Sequence, residues 1–459
     1  MNSLDEVLCN AKRARLIPSL AESRKEEKLV SVLLAVLGAV RPFAAQLLGF
    51  CGVRVGKTSD VDSYTEVVFP TSDPNRTERP DGVLNVTSRS NVQWTALFEA
   101  KVDNAEIDEE QVLRYGEVAR SHGINTVITL SNQLVPLPTH IPYSVPKRLS
   151  RKLEFYHVSW TSIRTQAMLT LKDSEDLTAE QRFILEEMVR YFEHSNSGVK
   201  RFDQMNREWR QLVLGIRHGE QFQRTSPEIE NTVASWHQEE RDVCLILTRR
   251  IGERVDIRLP RKYRTDTALR LRDACDSLVS DNELTSGFSI PNAASDLEVV
   301  VNLQRRTISC SMKLAAPGDR KRAISRVNWI LRQLRNVEGD DVFVRAYWSG
   351  RSQSTQAVLQ KVQENPGSLE IDRPGAVPVS FEVLVISDLA GRFSGRSTFI
   401  EDLEKAIPGF YDRIGQNLRK WVPPPPSIDK RDPKQTPDEA EGDDTSMITE
   451  TISSDAERQ

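Results

Sequence analysis

Phe98-Glu99-Ala100-Lys101-Val102 constrains the fold more than any other stretch, because it sets an acid and a base two residues apart inside an apolar run. In a β-strand, residues i and i+2 share a face. Glu99 and Lys101 then project together, while Phe98, Ala100 and Val102 turn the other way into a core. A carboxylate and an ammonium beside an apolar sheet are costly to desolvate unless each finds a partner. Upstream, Pro80-Asp81-Gly82 sets a second acid at a turn. A divalent cation suits two such carboxylates, since Mg²⁺ takes oxygen ligands in near-octahedral geometry and keeps several waters.

The flanking sequence supplies the elements around this pair. Asp62–Pro70, Gly82–Thr87 and Trp94–Val102 read as three strands separated by polar turn residues. Glu106–Ser121 carries Ile107, Val112, Tyr115, Val118 and Ala119 at helical spacing. Gly123 closes that helix, and Ile124–Leu130 is a short apolar run suited to a buried strand. Leu153–Val158 reads as a further strand. Ahead of them, Ala21–Leu48 holds a long helix or helix pair, with Leu29, Leu33, Leu34, Leu37 and Val40 as its apolar stripe. The charged patch Arg24-Lys25-Glu26-Glu27-Lys28 precedes the stripe. Gln111 and Tyr115, four residues apart, share a face of the second helix.

Asp81 … Glu99-Ala100-Lys101 in this setting resembles the PD-(D/E)XK, or restriction-endonuclease-like, nuclease superfamily, and Gln111-x-x-x-Tyr115 resembles its RecB-like and phage-exonuclease branch. The resemblance covers residues 1–170. It implies an α/β fold with an αβββαβ core, Asp81 and Glu99 on the second and third strands. It further implies that Asp81, Glu99 and the carbonyl of Ala100 hold Mg²⁺ or Mn²⁺. Lys101 then either positions the attacking water or neutralises charge developing at phosphorus. Gln111 approaches the metal site and Tyr115 contacts the nucleic-acid backbone. The N-terminal helix adds a further glutamate, Glu27 or its neighbour Glu26. The implied activity is metal-dependent hydrolysis of phosphodiester bonds, with DNA ahead of RNA, in prokaryotic defence or repair. Two other readings stay open: a nuclease fold that only binds nucleic acid, and a protein-interaction scaffold.

The remainder of the chain reads differently. Residues 171–240 are expected to form a helical spacer, and the proline-rich Val135–Pro146 a loop beside the active site. Residues 241–422 read as an α+β module, with paired strands at Val243–Thr248 and Glu253–Leu259. A helix is expected at Thr265–Val279, strands at Leu297–Leu303 and Thr307–Leu314, and a basic helix at Arg320–Leu334. Strands at Val342–Trp348 and Val379–Ile386 follow, then helical material from Phe399 to Trp421. Arg249–Arg264 holds seven bases against two acids, and Arg305–Arg326 seven against one. Clusters of this kind neutralise phosphates, which makes Arg249, Arg250, Arg254, Arg261, Lys262, Arg320, Lys321 and Arg322 candidate nucleic-acid contacts. The competing use of this module is contact with a partner protein or a second copy of the chain.

Charge and cysteine content bound the rest. The net charge of −4 is inverted by a tail: Asp429–Gln459 has ten acids against four bases, −6, so the residues before it total +2. After Pro423–Pro426 this tail has few large apolar residues, and residues 423–459 are expected to be disordered. It acts either as a solubilising extension or as a phosphate mimic over the basic groove. Five scattered cysteines without a Cys-x-x-Cys pair disfavour a zinc, iron–sulfur or disulfide framework and fit a reducing cytoplasm. No apolar run approaches a membrane span and no basic-then-apolar leader is visible, so no membrane partner is expected.

Overall fold

In the computed structural model, which describes residues 3–9, 11–21, 23–71, 76–88, 91–423 and 425, the N-terminal region forms a pair of helices, the first carrying Leu29, Leu33, Leu34 and Leu37. These are α1 (Lys25–Ala39) and α2 (Arg41–Gly49), separated where Pro42 enters the first turn of α2. A six-stranded sheet follows, in the order β1 (Lys12–Arg13), β2 (Ser59–Thr65), β3 (Gly82–Ser88), β4 (Asn91–Ala100), β5 (Thr126–Ser131) and β6 (Glu154–Ser159). Neighbours from β1 to β4 are antiparallel, whereas β4, β5 and β6 run parallel. All six residues of β5 are buried, as a central parallel strand covered on both faces requires. The crossover from β4 to β5 is α3 (Glu109–Ser121).

Strand alternation sorts the side chains into two layers. Leu84, Val86, Ala96, Phe98, Ala100 and Val102 pack with Leu29, Leu33 and Leu37 of α1 and with Trp160, Met188 and Phe192. Val83, Leu97 and Val127 pack on the other face with Val112, Tyr115 and Val118 of α3. Gly82 is where α1 meets the sheet most closely: a Cβ there would lie 2.4 Å from Leu34 Cδ1 and 3.0 Å from Val30 Cγ1. Gly82→Ala is therefore expected to lower stability by about 1–3 kcal/mol, the usual cost of overpacking, as read from urea unfolding. A variant of unchanged stability would contradict the close approach.

Two helices, α4 (Trp160–Asp173) and α5 (Ala179–Glu193), complete the first core, and α6 (Trp209–Arg217) and α7 (Pro227–Ile251) lead into a second. That second core surrounds β7 (Asp256–Ile257), α8 (Thr267–Asp281), β8 (Glu283–Ser289), β9 (Leu297–Asn302), β10 (Thr307–Ala315), α9 (Ala323–Gln333), β11 (Val342–Trp348), β12 (Thr355–Val358), β13 (Pro378–Asp388) and α10 (Arg396–Arg413). The strands form one wholly antiparallel sheet in the order β12-β11-β13-β10-β9-β8-β7. The architecture thus combines helices and strands in both halves, around a mixed sheet in the first and an antiparallel sheet in the second. The described residues up to Trp421 form one compact unit. The acidic tail from Asp429 onward lies outside the described residues.

One expected strand is a helix. Val243–Thr248 belongs to α7, which runs unbroken through residue 240 and ends at Gly252 with φ +78°. Ile229, Val233, Trp236, Val243 and Leu247 are buried along one side of it, a period that a short apolar run read alone does not reveal. Of Glu253–Leu259 only Asp256–Ile257 pairs, at the sheet edge beside β8. Among the described residues no single helix is long and apolar enough to cross a membrane; α1 and α2 reach that length only as a pair bent by 112°.

Candidate active site

Gly82 pairs with Phe98 at the end of the β3–β4 ladder, so Asp81 and Glu99 stand one residue beyond it, across from each other. The Ala100 N–H donates to Asp81 Oδ2 at 2.8 Å. Lys101 Nζ donates to Glu99 Oε1 at 2.5 Å and lies 3.8 Å from Glu26 Oε2. The backbone that carries Lys101 is fixed at both ends: its N–H donates to Leu130 O at 2.8 Å, and Trp160 Nε1 donates to its carbonyl at 2.9 Å. The structure thus brings Asp81, Glu99, Ala100 and Lys101 together at one strand end.

The additional N-terminal acid in contact with this group is Glu26. Its Oε1 also accepts from the Val102 N–H at 3.3 Å. Glu27, the preferred candidate from the sequence, turns instead to Arg24 at 3.1 Å and lines a neighbouring cavity. One helical step separates the two, and the docking of α1 at Gly82 decides which of them reaches Lys101.

Burial dominates the electrostatics. It raises the pKa of Asp81, helped by the charge of Glu99 and opposed by the Ala100 N–H and by Lys101. Burial likewise raises Glu99, against the pull of Lys101. For Lys101 burial acts to lower the pKa, but Glu99, Glu26 and Asp81 outweigh it and the ammonium is held charged. Asp81 and Glu99 offer hard carboxylate oxygens at a strained local charge balance, a donor set that fits Mg²⁺ or Mn²⁺ in chemistry.

Gln111 and Tyr115 work on the backbone. Asp108 caps α3, its side chain accepting from the Glu110 and Gln111 N–H groups, so the helix begins at Glu109 and not at Glu106. Gln111 Nε2 donates to the Tyr115 hydroxyl at 2.9 Å, and that hydroxyl donates to Arg79 O at 3.0 Å. Tyr115 is only 3% exposed, and its hydroxyl ties the pair to the turn that presents Asp81. Tyr115→Phe is expected to cost about 1 kcal/mol of stability, as read from urea unfolding. Unchanged stability would sink this anchoring role.

A cavity of about 290 Å³ opens beside Asp81. Four bases line it. Lys12 and Arg13 are paired to Glu66 at 2.6 Å and Asp62 at 2.5 Å. The exposed Arg15 and Arg79 side chains have no ion pair among the described residues. Neither arginine carried a signal in the sequence, because each reaches the cavity from a loop. The proline-rich stretch folds back as a loop in which Ser144 N–H donates to Glu109.

Four of the eight basic candidates in the second half have partners within the fold. Arg249 is a correction: it is largely buried, donates to Thr165 Oγ1 at 2.8 Å, and burial lowers its pKa. Arg254 pairs with Asp256 at 3.0 Å and lies over the Phe50 ring. Lys262 pairs with Asp273 at 2.8 Å, and Arg320 donates to Ser325 O at 3.1 Å. Arg250, Arg261, Lys321 and Arg322 remain exposed without an ion pair among the described residues. The two clusters therefore contribute less unpaired positive charge than their composition suggests.

One acidic group went unread in the sequence. Glu239, Asp242 and Glu404 bring carboxylate oxygens within 4.8 Å of one another and could hold a metal ion. The three-residue spacing on α7 is visible in the sequence, but Glu404 arrives from α10, and only tertiary packing unites them. Comparison with protein-family models and with curated proteins gave no match.

Proposed function

We propose that the chain is a divalent-metal-dependent nuclease of the PD-(D/E)XK type, hydrolysing phosphodiester bonds in DNA ahead of RNA. The observation that carries this reading is the grouping of Asp81, Glu99 and Lys101 at one strand end, with Glu26 in contact. The run α1, β2–β4, α3, β5 supports it, being the order expected of a restriction-endonuclease-like core.

Asp81 and Glu99 would hold the cation, which supplies Lewis-acid polarisation of the phosphate and a more acidic bound water. The chain's own residues do the rest. Lys101, held charged by its carboxylate neighbours, lends positive charge where negative charge develops on the phosphoryl oxygens. The Ala100 N–H fixes the orientation of Asp81, and Tyr115 fixes the turn that carries it. Arg15 and Arg79 offer charge-assisted hydrogen bonds to phosphates entering the adjacent cavity. The exposed bases Arg250, Arg261, Lys321 and Arg322 are further candidates for phosphate contact. Prokaryotic defence or repair is the setting in which such an enzyme would act.

The reading is tested by offering labelled linear, circular and single-stranded DNA, and RNA, with Mg²⁺ or Mn²⁺. Cutting of DNA that chelation abolishes is expected, and cutting of the circular form would assign endonuclease action. Tight, salt-sensitive binding without cleavage would make the protein a nucleic-acid binder. Neither binding nor cleavage would return it to the scaffold reading.

A further inference from the structure

Glu239 and Asp242 share a face of α7, and Glu404 meets them from α10. Acid clusters alone say little. The independent observation is the condition of Glu239: it is 0% exposed, yet neither of its carboxylate oxygens has a hydrogen-bond partner. Its two neighbours are each held by one oxygen. The Phe202 N–H donates to Asp242 Oδ2 at 3.3 Å, and Arg201 Nη1 to Glu404 Oε2 at 3.0 Å. Their other oxygens, Asp242 Oδ1 and Glu404 Oε1, are buried and unpartnered. Four orphan oxygens thus share one enclosed spot, where an unsatisfied carboxylate is among the costliest groups a protein can bury.

Protein donors leave this spot underserved. Arg201 is the one guanidinium in ion-pair contact with the three acids among the described residues. Arg249 and Arg164 are also near and act on Asp242 through space, but Arg249 gives its hydrogen bond to Thr165 and neither forms an ion pair with the three acids among the described residues. The four open oxygens therefore have positive charge nearby but no donor in contact, and a cation coordinated by them would supply the missing partner. Burial raises the pKa of all three acids, so each gains from a cation that restores its ionised form. The pattern of one oxygen steadied by the protein and one left open matches the outer-shell support that ligating carboxylates receive.

We propose that Glu239, Asp242 and Glu404 bind a hard divalent cation in a structural site distinct from Asp81 and Glu99. All-oxygen carboxylate donors select the Ca²⁺, Mn²⁺ and Mg²⁺ class over thiophilic metals. The ion would tie α7 and α10 to the segment at Arg201 and Phe202. That segment also holds the loop after Lys101, since the Asp103 N–H donates to Gly198 O at 2.9 Å and the Lys200 N–H to Asn132 Oδ1 at 2.9 Å.

The test uses the full chain carrying Asp81→Asn and Glu99→Gln, so that the first acid pair cannot supply the signal. Metal-free protein is dialysed against Ca²⁺ or Mn²⁺, and bound metal and melting temperature are measured. A single ion per chain and a raised melting temperature are expected, both lost when Glu239→Gln is added. Glutamine keeps the shape and removes a charge. If circular dichroism shows that variant unfolded, Asp242→Asn and Glu404→Gln take its place. Retention of no ion, or retention unaffected by these changes, overturns the proposal. So does a Glu239→Gln protein that simply melts higher while its parent ignores both metals, because protons alone then satisfy the cluster.

Discussion

Lys101→Ala is expected to lower cleavage by about 10²–10³-fold in kcat, the usual penalty for losing one preorganised electrostatic donor. The loss has two parts. Alanine removes the charge proposed to face the phosphate, and it also strips Glu99 of its counter-ion. The Glu99 side chain is 3% exposed, and a buried carboxylate left unpaired takes up a proton. Since Lys101 is what pulls the Glu99 pKa down, the acid limb of any residual activity should move to higher pH. A pH–rate profile of the variant checks this. A drop in rate with an unmoved acid limb would leave Lys101 facing substrate but uncoupled from Glu99.

Asp81→Asn should separate the site's chemistry from its cost to the fold. Burial and Glu99 raise the folded-state pKa of Asp81 above the unfolded carboxyl value of about 3.9. A carboxyl shifted that way binds its proton more tightly when folded. Its ionisation therefore disfavours the native state, by nothing below the unfolded pKa and by more as pH rises toward the folded one. Asparagine keeps an oxygen to accept from the Ala100 N–H and removes the charge. Metal-free Asp81→Asn is expected to melt above wild type at about pH 8, with the gap closing toward about pH 4. Mn²⁺ should raise the wild-type melting temperature increasingly with pH, and the variant much less. A destabilised Asp81→Asn across that range would mean that the ionised carboxylate is a net stabilising group.

Much of the first half was legible because its signals agree across levels. The Glu99/Lys101 alternation, the apolar run at Ile124–Leu130 and the helical spacing around Tyr115 each matched the element that formed. Phe98, Ala100 and Val102 enter the α1 core as the alternation requires. What sequence could not supply was rotation and partnership. Glu26 and Glu27 are equivalent until Gly82 sets how α1 docks, and the hydrogen bond from the Tyr115 hydroxyl to Arg79 O has no signal in the sequence. Val243–Thr248 failed for a different reason: a six-residue apolar run fits a buried strand and one side of a long helix equally well. The basic clusters misled by count, since Arg249, Arg254 and Lys262 satisfy neighbours within the fold. Glu404 joins Glu239 and Asp242 across sequence distances at which no local pattern operates.

The measurement that bears most directly on the account is metal-dependent cleavage of linear DNA by wild type, Lys101→Ala and Asp81→Asn, expressed and purified in parallel. The site described here requires cutting by wild type with Mg²⁺ or Mn²⁺, its abolition by chelator, and near-complete loss in both variants. Equal cutting by all three proteins would trace the activity to a contaminant. Equal indifference, with no metal-induced rise in the wild-type melting temperature, would remove Asp81, Glu99 and Lys101 from any catalytic role.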